Sequence, residues 1–378
     1  MRYYVAMGEL ETKRVIGLMS GTSCDSIDAG LCEVNPDMSV KLISGINYKY
    51  PEHIRSKIFQ IFSGNASVKD ICQMNFAIGK CFADACNVLI SEFGKPDFIS
   101  SHGQTVYHYP FDEKIDNISL KSTLQIGESS VIAEETNCMV ISNFREKDIA
   151  YGGQGAPLVC FADDKWFRGD KNVAVQNIGG ISNATVLLRG EEAFGFDNGL
   201  GNIMMDYCMQ KYFGADYDKD GKIALSGNVC EGWLNILEQD EYYFKEPPKT
   251  TGREYFSPEY IERALKLAPE NKEDIIATAT ALTAKTIAQS YERFIPLGID
   301  EAIICGGGAY NPALMKFLRY YLPKETELRT CEDYGISNNF KEVMAFALLG
   351  YCTYYNIPNN VPSCTGARKK LVLGKIVS

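Results

Sequence analysis

The stretch VIGLMSGTSCDSIDAGLCEV at residues 15–34 decides how the chain begins to fold. Residues 15–19 are apolar, residues 20–28 are a polar turn rich in Gly, Ser, Thr and Asp, and apolar character returns over 29–34. Two apolar segments joined by such a turn predict a β-hairpin with a glycine-bearing tip. Because glycine lacks the Cβ that would hold a ligand away from backbone N–H groups, this tip is suited to cradling a phosphate.

The same pattern recurs in the second half of the chain, at NVAVQNIGGISNATVLL, residues 172–188. A third glycine loop, at 306–308, follows an apolar strand pattern and precedes a helix whose start is marked by Asn311 and Pro312. No loop matches G-x-x-x-x-G-K-[ST], and neither hairpin tip opens directly into a helix, which excludes the P-loop and the dinucleotide-binding fingerprint. A single glycine hairpin is also an ordinary structural turn, but three such loops in order favour phosphate binding.

Strand and helix patterns alternate after the first hairpin. The predicted elements are a strand at 40–48, helices at 53–62 and 68–93, and a buried strand at 97–101 that runs into HGQT at 102–105. A chain of 378 residues exceeds what one hydrophobic core usually organises. We therefore expect an α/β protein with two domains.

Composition and charge exclude several classes of partner. The formal charge is −10, from 38 basic and 48 acidic residues, whereas nucleic-acid and anionic-membrane surfaces need clustered Lys and Arg. The sequence has no run of about 18 apolar residues, and its first residues lack the apolar core of a signal peptide. We expect a cytoplasmic protein with no nucleic-acid partner and no membrane partner.

The thirteen cysteines and three histidines do not form a metal-binding pattern. No C-x-x-C occurs, and the histidines are isolated at positions 53, 102 and 108. Structural zinc needs paired Cys or His ligands at short spacing. We interpret the cysteines as reduced residues of the core.

Ten motifs occur in order along the chain and resemble those of one family. They are GLMSGTSCDSIDAG at 17–30, SHGQTVYH at 101–108, TLQIGE at 123–128, FREKDIAYGGQGAPLV at 144–159, NIGGISN at 177–183, FDNGLGN at 196–202, PPKTTGREYF at 247–256, CGGGAYNP at 305–312, KEVMAFA at 341–347 and TGARKKLVLGKI at 365–376. In this set the chain resembles the anhydro-N-acetylmuramic acid kinases. The related levoglucosan kinases share the motifs, so the resemblance identifies the family more firmly than the sugar.

The resemblance implies the fold of the actin, Hsp70 and sugar-kinase superfamily. It implies two ribonuclease-H-like domains with an interdomain cleft. We place the N-terminal domain at 1–140, with 361–378 returning to it, and a C-terminal nucleotide-binding domain at 141–360. The family also suggests a homodimer.

The resemblance further implies an ATP-dependent anhydro-sugar kinase that uses Mg²⁺. Such an enzyme opens 1,6-anhydro-N-acetylmuramic acid with water and phosphorylates O6, giving N-acetylmuramic acid 6-phosphate and ADP in cell-wall (peptidoglycan) recycling. The chemistry needs a base near the anomeric carbon C1 and neutralisation of charge at the phosphates. Its small-molecule partners are the anhydro sugar and ATP.

Site residues are carried over onto the matching motifs of this chain. Asp197 matches the general base that deprotonates the attacking water, and Glu342 matches an acidic residue near the metal, with Asp25 and Asp28 as further candidates. Residues expected to bind the nucleotide lie on the three glycine loops: Gly21, Thr22, Ser23, Asp25, Asp28, Asn177, Gly179, Gly180, Asn183, Gly306, Gly307, Gly308 and Asn311. Those expected to contact the sugar are His102, Gln104, Thr105, Gln125, Arg145 and Asp148.

Each of these residue types also has an ordinary structural role. An Asp before Asn-Gly, such as Asp197, is often a turn residue. Arg145 and Asp148, three residues apart, are typical of a solvated surface pair. A single His after a strand, such as His102, is often buried with a partner.

Four positions depart from the family pattern. Ser26, Asn143, Asn198 and Leu200 stand where the family has Gly, Asp, Thr and Pro, and the last two flank the base closely enough to alter its positioning. Two other functions therefore stay open, a kinase of another 1,6-anhydro sugar such as levoglucosan and a non-catalytic sugar- or nucleotide-binding homologue. The presence of Asp197 argues against the second, since a binding protein needs no base.

Overall fold

In the computed structural model, residues 9–21 and 24–378 are described. The strands are β1 (Lys13–Ser20), β2 (Ile27–Val34), β3 (Val40–Tyr48), β4 (Phe98–Ile115), β5 (Ile118–Ile126), β6 (Val140–Ser142), β7 (Val173–Ile178), β8 (Ile181–Leu187), β9 (Phe194–Leu200), β10 (Glu301–Cys305), β11 (Glu327–Thr330) and β12 (Lys375–Val377). The α-helices are α1 (Glu52–Phe62), α2 (Val68–Phe93), α3 (Ser129–Thr136), α4 (Arg145–Ala150), α5 (Cys160–Phe167), α6 (Ile203–Phe213), α7 (Lys222–Ser226), α8 (Glu231–Leu237), α9 (Pro258–Leu265), α10 (Lys272–Phe294), α11 (Pro312–Tyr321), α12 (Lys341–Tyr354) and α13 (Pro362–Thr365). Within the described ranges, no helix combines the length and the apolar character needed to cross a bilayer.

The chain divides into two compact units. Unit 1 comprises the described residues up to Trp166 together with Phe340–Ser378, and unit 2 comprises Phe167–Asn339. These boundaries differ from the predicted ones near 140 and 360, because α12 packs on the first sheet of unit 1 and α5 ends where unit 2 begins. The sequence pattern around these boundaries carries no linker-like composition that marks them.

Unit 1 is built on one mixed sheet with the strand order β12-β6-β4-β1-β2-β3, and β5 pairs with β4. Strands β1, β2 and β3 form an antiparallel meander, while β4 runs parallel to β1 and β6 parallel to β4. Strand β12 returns at the C-terminus and pairs antiparallel with β6.

Helix α2 covers one face of this sheet, over the residues that the sequence predicts. It begins at a capping box, in which the Ser67 side chain accepts from the Asp70 N–H and the Asp70 carboxylate accepts from the Ser67 N–H. Ile78, Phe82 and Leu89 repeat at helical spacing and are fully buried against the β-sheet. The amphipathic pattern and the cap together explain why this segment is helical.

A row of glycines on the opposite face lets α12 approach the sheet closely. Gly17, Gly30 and Gly45 lie opposite one another on β1, β2 and β3. A Cβ on Gly17 would lie 2.2 Å from the carbonyl oxygen of Val343, and one on Gly45 would lie 2.7 Å from the ring of Phe340. Only glycine leaves room for the helix backbone at this distance.

Unit 2 repeats the topology of unit 1. Its sheet has the order β11-β10-β7-β8-β9, in which β7, β8 and β9 form an antiparallel meander and β10 and β11 continue parallel to β7. Each sheet thus has three meander strands followed by two strands parallel to the first, the ribonuclease-H-like order. The predicted α/β class with two such domains is confirmed, while the predicted cleft stays a prediction.

Helix α10 forms the centre of the unit 2 core. Most of its residues are buried, including four threonines. The hydroxyl groups of Thr278, Thr280 and Thr286 each donate to the carbonyl oxygen four residues earlier, at 2.7 to 2.9 Å. This local bonding lets polar side chains lie in an apolar core without unsatisfied donors.

Candidate active site

A backbone hydrogen bond joins the described residues on either side of the tip of the β1–β2 hairpin. The N–H of Cys24, which has a positive φ of 53°, donates to the Gly21 carbonyl at 3.2 Å. Two predicted nucleotide-binding residues, Thr22 and Ser23, lie outside the described residues. The hairpin that the sequence predicts is confirmed, and its strands extend one or two residues further into the expected turn.

The two aspartates of this hairpin have different surroundings. Asp25 is exposed and accepts a hydrogen bond from Arg55 at 3.0 Å. Asp28 is half-buried and accepts from Asn47 at 2.6 Å and from Ser26 at 2.9 Å. Burial raises the pKa of Asp28, and these two hydrogen bonds act in the opposite direction. Asp28 is therefore held in place, while Asp25 forms a surface pair.

Gln104 links β4 to the first hairpin. Its side chain is fully buried, and its Oε1 accepts from Ser20 Oγ at 2.6 Å. The Tyr50 hydroxyl donates to Ser20 at 3.0 Å, and Gln104 Nε2 donates to the Gly21 carbonyl at 3.3 Å. These bonds give Gln104 a role in positioning the loop, and its predicted contact with a sugar stays a prediction.

His102 and Arg145 form a buried pair of side chains in unit 1. His102 Nδ1 bonds to the Gly103 carbonyl at 2.9 Å, and Arg145 Nε and Nη2 lie 3.0 and 2.9 Å from His102 Nε2. Burial, and then the Arg145 charge, hold the pKa of His102 well below its usual range. The imidazole is therefore neutral, with the proton on Nδ1 and Nε2 as acceptor. Burial lowers the pKa of Arg145 to about 10, against the opposing charge of Glu342.

Asp148 is fully buried and holds the loop that follows α4. Its carboxylate accepts from the Gly155 N–H at 2.9 Å, the Thr365 hydroxyl at 2.8 Å and Asn360 Nδ2 at 3.2 Å. A Cβ on Gly153 would lie 2.0 Å from Asp148 Oδ2. This burial excludes the solvated surface pair considered from the sequence, and the donors are typical of a residue that positions a loop.

A polar network lies where β4 and β5 leave the main sheet. Gln125 Nε2 donates to Thr123 Oγ1 at 2.7 Å and to Thr105 Oγ1 at 3.2 Å, and His108 Nδ1 lies 3.0 Å from Thr123 Oγ1. The strand register shifts between Thr105 and Tyr107. Thr105 and Gln125 are directly paired across the two strands, and the bulge that follows re-aims the side chains beyond them.

Glu342 lies in the first turn of α12, the helix that packs on the row of glycines. Its side chain is exposed, yet partial desolvation by the surrounding protein raises its pKa. Among charged neighbours, Lys341 and Arg145 lower that pKa and Asp28 raises it. Two predicted acidic residues, Asp28 and Glu342, therefore share one electrostatic neighbourhood. Across residues 9–21 and 24–378, no three or more His, Cys, Asp or Glu side chains group to hold a metal ion.

In unit 2, three predicted site residues lie in one row across the sheet. Asn177 on β7 is opposite Asn183 on β8, and Asn183 is opposite Asp197 on β9. Directly opposed residues of antiparallel strands present their side chains on the same face. Cys305 pairs with Asn177, which places the glycine loop after β10 at the same edge. Ligands of open α/β sheets bind at this carboxyl edge of the parallel strands.

The loop at 306–308 packs against the end of β7. Gly306 has a φ of 78°, and a Cβ there would lie 2.6 Å from Asn177 Oδ1. A Cβ on Gly308 would lie 2.6 Å from the Ile178 side chain, whereas a Cβ on Gly307 would meet no atom of the described residues closer than Asn202 Nδ2, at 3.8 Å. Gly306 and Gly308 are required by packing, and Gly307 is the member with open space beside it.

The second hairpin tip is fixed by the start of α6. The carbonyl oxygens of Gly179 and Gly180 accept from the N–H groups of Asn202 and Gly201, both at 2.8 Å. Asn311 also has a structural partner, since its Oδ1 accepts from two N–H groups in the first turn of α11 at 3.0 and 3.2 Å. Nucleotide contacts of these residues stay predictions.

Asp197 is clamped by a segment that lies some fifty residues further along the chain. Its N–H donates to the Lys249 carbonyl at 3.1 Å, and its own carbonyl accepts from the Tyr242 hydroxyl at 3.0 Å. Its Oδ2 accepts from Thr250 Oγ1 and from the Thr251 N–H, both at 2.8 Å. Within the described residues Oδ1 has no such donor. One carboxylate oxygen is thus anchored and the other is left for a reactant.

The surroundings of Asp197 act on its ionisation in both directions. Burial is the largest influence and raises its pKa. The hydrogen bonds from Thr251 and Thr250 and the charge of Lys249 lower it, while the charge of Glu254 raises it. A half-buried carboxylate with a raised pKa and one unoccupied oxygen can accept a proton from a bound molecule.

The clamp residues are functional candidates that the sequence reasoning missed. Residues 249–251 lie in the PPKTTGREYF motif, which supported the resemblance without any role for its side chains. Thr251 Oγ1 is buried without a hydrogen-bond partner in the described part of the chain. The available signal was the motif itself, whose polar Lys-Thr-Thr run lies between turn-forming Pro and Gly residues.

Asn198 and Leu200, the two residues near Asp197 that differ from the family pattern, have side chains that point away from its carboxylate. Asn198 is buried, accepts from Gln176 Nε2 at 2.8 Å and donates to Ser290 Oγ at 2.6 Å. Leu200 is fully buried in the apolar core of unit 2. Successive side chains of a strand alternate between faces, so Asn198 serves the core while Asp197 faces the row of asparagines.

Ser26 and Asn143, the other two positions that differ from the family pattern, also have structural partners nearby. Ser26 donates to Asp28, as described above, and its backbone does not have a positive φ that would require glycine. Asn143, with a φ of 60°, hydrogen-bonds to the Glu146 carboxylate at the start of α4. Neither residue is a hydrogen-bond partner of Arg145, which bonds to His102 and to the Gly155 carbonyl within the described residues.

Comparison with known proteins gives consistent results. Residues 13–378 match the family model described as anhydro-N-acetylmuramic acid kinase. The chain is 41% identical over 385 residues to the anhydro-N-acetylmuramic acid kinase of Caldanaerobacter subterraneus subsp. tengcongensis, covering 97% of each protein. It is 42% identical over 378 residues to the protein of that name from Bacillus cereus strain Q1, covering 96% of this chain and 98% of the other.

Solved structures are more distantly similar. The activator of the 2-hydroxyisocaproyl-CoA dehydratase from Clostridium difficile with bound ADPNP aligns with a TM-score of 0.43 and 12% identity, covering 89% of this chain and 94% of the other. A similarity of this size does not bear on the chemistry of the site.

Proposed function

Since this chain belongs to the anhydro-N-acetylmuramic acid kinase family, we propose that it is an ATP-dependent kinase of 1,6-anhydro-N-acetylmuramic acid. Water adds to C1 of the sugar, the C1–O6 bond breaks, and O6 takes the γ-phosphoryl group of ATP. The products are N-acetylmuramic acid 6-phosphate and ADP. On the same resemblance we place this reaction in cell-wall recycling in the cytoplasm and expect a homodimer, which analytical ultracentrifugation tests.

The anchoring of Asp197 is the observation that supports this proposal most directly. Thr250 and Thr251 hold Oδ2, so Oδ1 is the oxygen that accepts the proton of the attacking water. A positioned general base contributes about 10²- to 10⁴-fold to such a step. A non-catalytic binding protein has no need for a carboxylate held in this way.

The raised pKa of Asp197 predicts how the activity depends on pH. Only the ionised carboxylate accepts a proton, so activity falls as pH decreases through the pKa of Asp197. Burial moves this acid limb above the usual range of aspartate. A bound sugar that excludes water adds to the same effect.

Unit 1 carries the residues that we propose for metal and sugar. Glu342 with Asp28 fits Mg²⁺, which proteins usually hold through one or two carboxylates together with phosphate oxygens and water. When bound, the ion neutralises charge that develops on the transferred phosphoryl group. Arg145, aligned by its hydrogen bonds to His102, and the Thr105–Gln125 pair supply donors for sugar oxygens.

We propose that the three glycine loops hold the nucleotide. Gly307 has open space where a ligand can approach the backbone, and Asn177 and Asn183 present amide groups at the same edge of the sheet. Gly21 and the residues after it supply the corresponding loop of unit 1. Backbone N–H groups in such loops suit phosphate oxygens.

The test measures ADP release from ATP and Mg²⁺ with 1,6-anhydro-N-acetylmuramic acid and, separately, with levoglucosan. We expect turnover of the amino sugar, a loss of about 10³-fold in kcat for Asp197→Asn, and no loss for Asp170→Asn, an exposed aspartate of the same unit. Turnover of levoglucosan alone would assign another anhydro sugar. Binding of both ligands without turnover would indicate a non-catalytic homologue.

A further inference from the structure

The side chain of Lys249 is held beside Asp197 by two aromatic rings. Its Nζ lies 4.9 Å from the ring centroid of Tyr242 and 4.7 Å from that of Phe294. It also donates to the Tyr242 carbonyl at 3.4 Å. An ammonium group placed over two aromatic rings is attracted electrostatically by both.

The backbone fixes this cation relative to the base. The Lys249 carbonyl accepts the Asp197 N–H, and the next two residues supply the donors to Asp197 Oδ2. Lys249 lies at a half-buried position, where solvent screens its charge less than at the surface. The backbone bond and the two ring contacts therefore constrain where this charge lies.

We propose that Lys249 is a positioning residue of this site, whose ring-stacked ammonium keeps Asp197 ionised as the proton acceptor. This inference rests on the proposed role of Asp197 as general base. Lys249 acts through Asp197, and its hydrogen bond and ring contacts hold it within unit 2. Arginine is the only other side chain that can stack on aromatic rings and remain charged at neutral pH.

The charged groups around the pair define the expected electrostatics. Asp197 is influenced by Lys249 in one direction and by Glu254 in the other, and it also lies beside the Tyr242 hydroxyl. Lys249 is influenced by burial, then by Arg293, Asp197, Glu246 and Lys245. Burial lowers the pKa of Lys249 to about 8, so the group is mainly protonated at pH 7.

The sign of the effect follows from these charges. The positive charge of Lys249 favours the carboxylate form of Asp197, so its removal raises the pKa of that carboxyl. The acid limb of the reaction then moves to higher pH.

The experiment compares pH profiles of kcat/KM for the wild-type protein, Lys249→Met and Lys249→Arg with ATP, Mg²⁺ and 1,6-anhydro-N-acetylmuramic acid. We expect the acid limb of Lys249→Met to shift upward by about half to one pH unit, from a charge several ångströms away in a partly screened site. Lys249→Arg should keep the wild-type midpoint. Lys245→Met is the matched control, because Lys245 also stacks on Tyr242, at 5.7 Å, but is exposed.

The pH profiles of the variants test the role of Lys249 directly. An unchanged acid limb in Lys249→Met overturns it, as does an equal shift in Lys245→Met. A fixed acid limb with a raised KM for this acidic sugar alone, and not for uncharged levoglucosan, also overturns it and makes Lys249 a substrate contact. If Lys249→Met melts too low for the assay, Lys249→Gln takes its place.

Failure of the underlying proposal is recognised separately. If Asp197→Asn keeps its activity, or if the wild-type profile has no acid limb, Asp197 is not the base. If Asp197→Asn is inactive and the wild-type acid limb is present but insensitive to Lys249, only the inference about Lys249 fails.

Discussion

The first hairpin of unit 1 and the first hairpin of unit 2 begin sheets of the same strand order. The proposed functional carboxylate of each unit is nevertheless held in place in a different way. In unit 1, Glu342 comes from a helix that lies on a row of glycines. In unit 2, Asp197 lies on a strand and is held by hydrogen bonds from a distant loop. One topology therefore supports two ways of positioning a charge.

Different kinds of substitution should therefore disturb the positions of the two carboxylates. A helix seated on glycines depends on excluded volume, so added atoms displace it. A clamped carboxylate depends on donors of the right geometry, so substitutions of similar size can weaken it.

Gly17→Ala should disturb unit 1 most strongly. The new Cβ would lie 2.2 Å from the Val343 carbonyl oxygen, which forces α12 off the sheet and lowers the free energy of unfolding by about 3 kcal/mol. Urea unfolding followed by circular dichroism measures the change. Gly232→Ala is the control, since its Cβ would meet no atom within 4 Å. Equal stability of the two variants would contradict the glycine-row account.

Glu342→Gln should reduce activity without unfolding unit 1, because the side chain is exposed at the start of α12. We expect a fall in kcat/KM of about 10²-fold and a higher Mg²⁺ concentration at half-maximal rate, since a neutral amide binds a hard cation less well. Titration of the rate with Mg²⁺ measures both. Glu134→Gln, an exposed residue of α3, should leave the titration unchanged. An unaltered Mg²⁺ midpoint in Glu342→Gln would remove this residue from the proposed metal site.

Thr250→Val should weaken the clamp in unit 2 while preserving its volume. It removes one of two donors to Asp197 Oδ2, so kcat should fall by about tenfold, the equivalent of roughly one hydrogen bond to a charged group. The loss also raises the pKa of Asp197, because this bond favours the ionised form. Steady-state rates across pH 5–8 show both effects.

Thr250→Ser is the matched variant for this prediction, since it restores the hydroxyl without the methyl group. We expect it to recover most of the lost activity. If Ser and Val behave alike, the hydroxyl does not orient the base and the clamp acts through the backbone alone.

Asn198→Thr, which restores the residue usual in the family, should have the smallest effect. The side chain bonds to Gln176 and Ser290 inside the core, so we expect kcat to change by less than about twofold and stability to fall by about 1 kcal/mol. Thermal melting and ADP release measure the two quantities. A tenfold change in kcat with unchanged stability would show that position 198 acts on Asp197 after all.

Local pattern was sufficient to predict much of the fold. The two glycine hairpins, helix α2 and the start of α11 follow from alternation of apolar residues, helical periodicity and the Asn-Pro signal, all of which act over a few neighbours. The extension of β4 well beyond residue 101 was missed, because its outer part is exposed and lacks an apolar run. The family motifs suggested Asp197 as the base and Glu342 as the metal-site residue, and both roles stay predictions.

The side-chain roles of Gln104, Asp148 and Asn311 show where sequence reasoning ends. Each lies in a motif that suggested a ligand contact, and each has its hydrogen-bonding groups engaged by the protein itself. A motif indicates which residue type is needed at a position. It does not distinguish a ligand contact from a residue that holds the loop beside the ligand.

The sequence by itself determined the alternation of strands and helices, the glycine loops, the family and the identity of the proposed base, because these depend on neighbouring residues and on ordered motifs. Only the tertiary structure decided that residues 249–251 clamp Asp197, that Lys249 lies between Tyr242 and Phe294, and that Gly17 seats α12. Apart from the contact between Lys249 and the nearby Tyr242, these contacts join residues from about 45 to more than 300 positions apart. Their geometry depends on how the folded chain packs, and neither periodicity nor spacing records it.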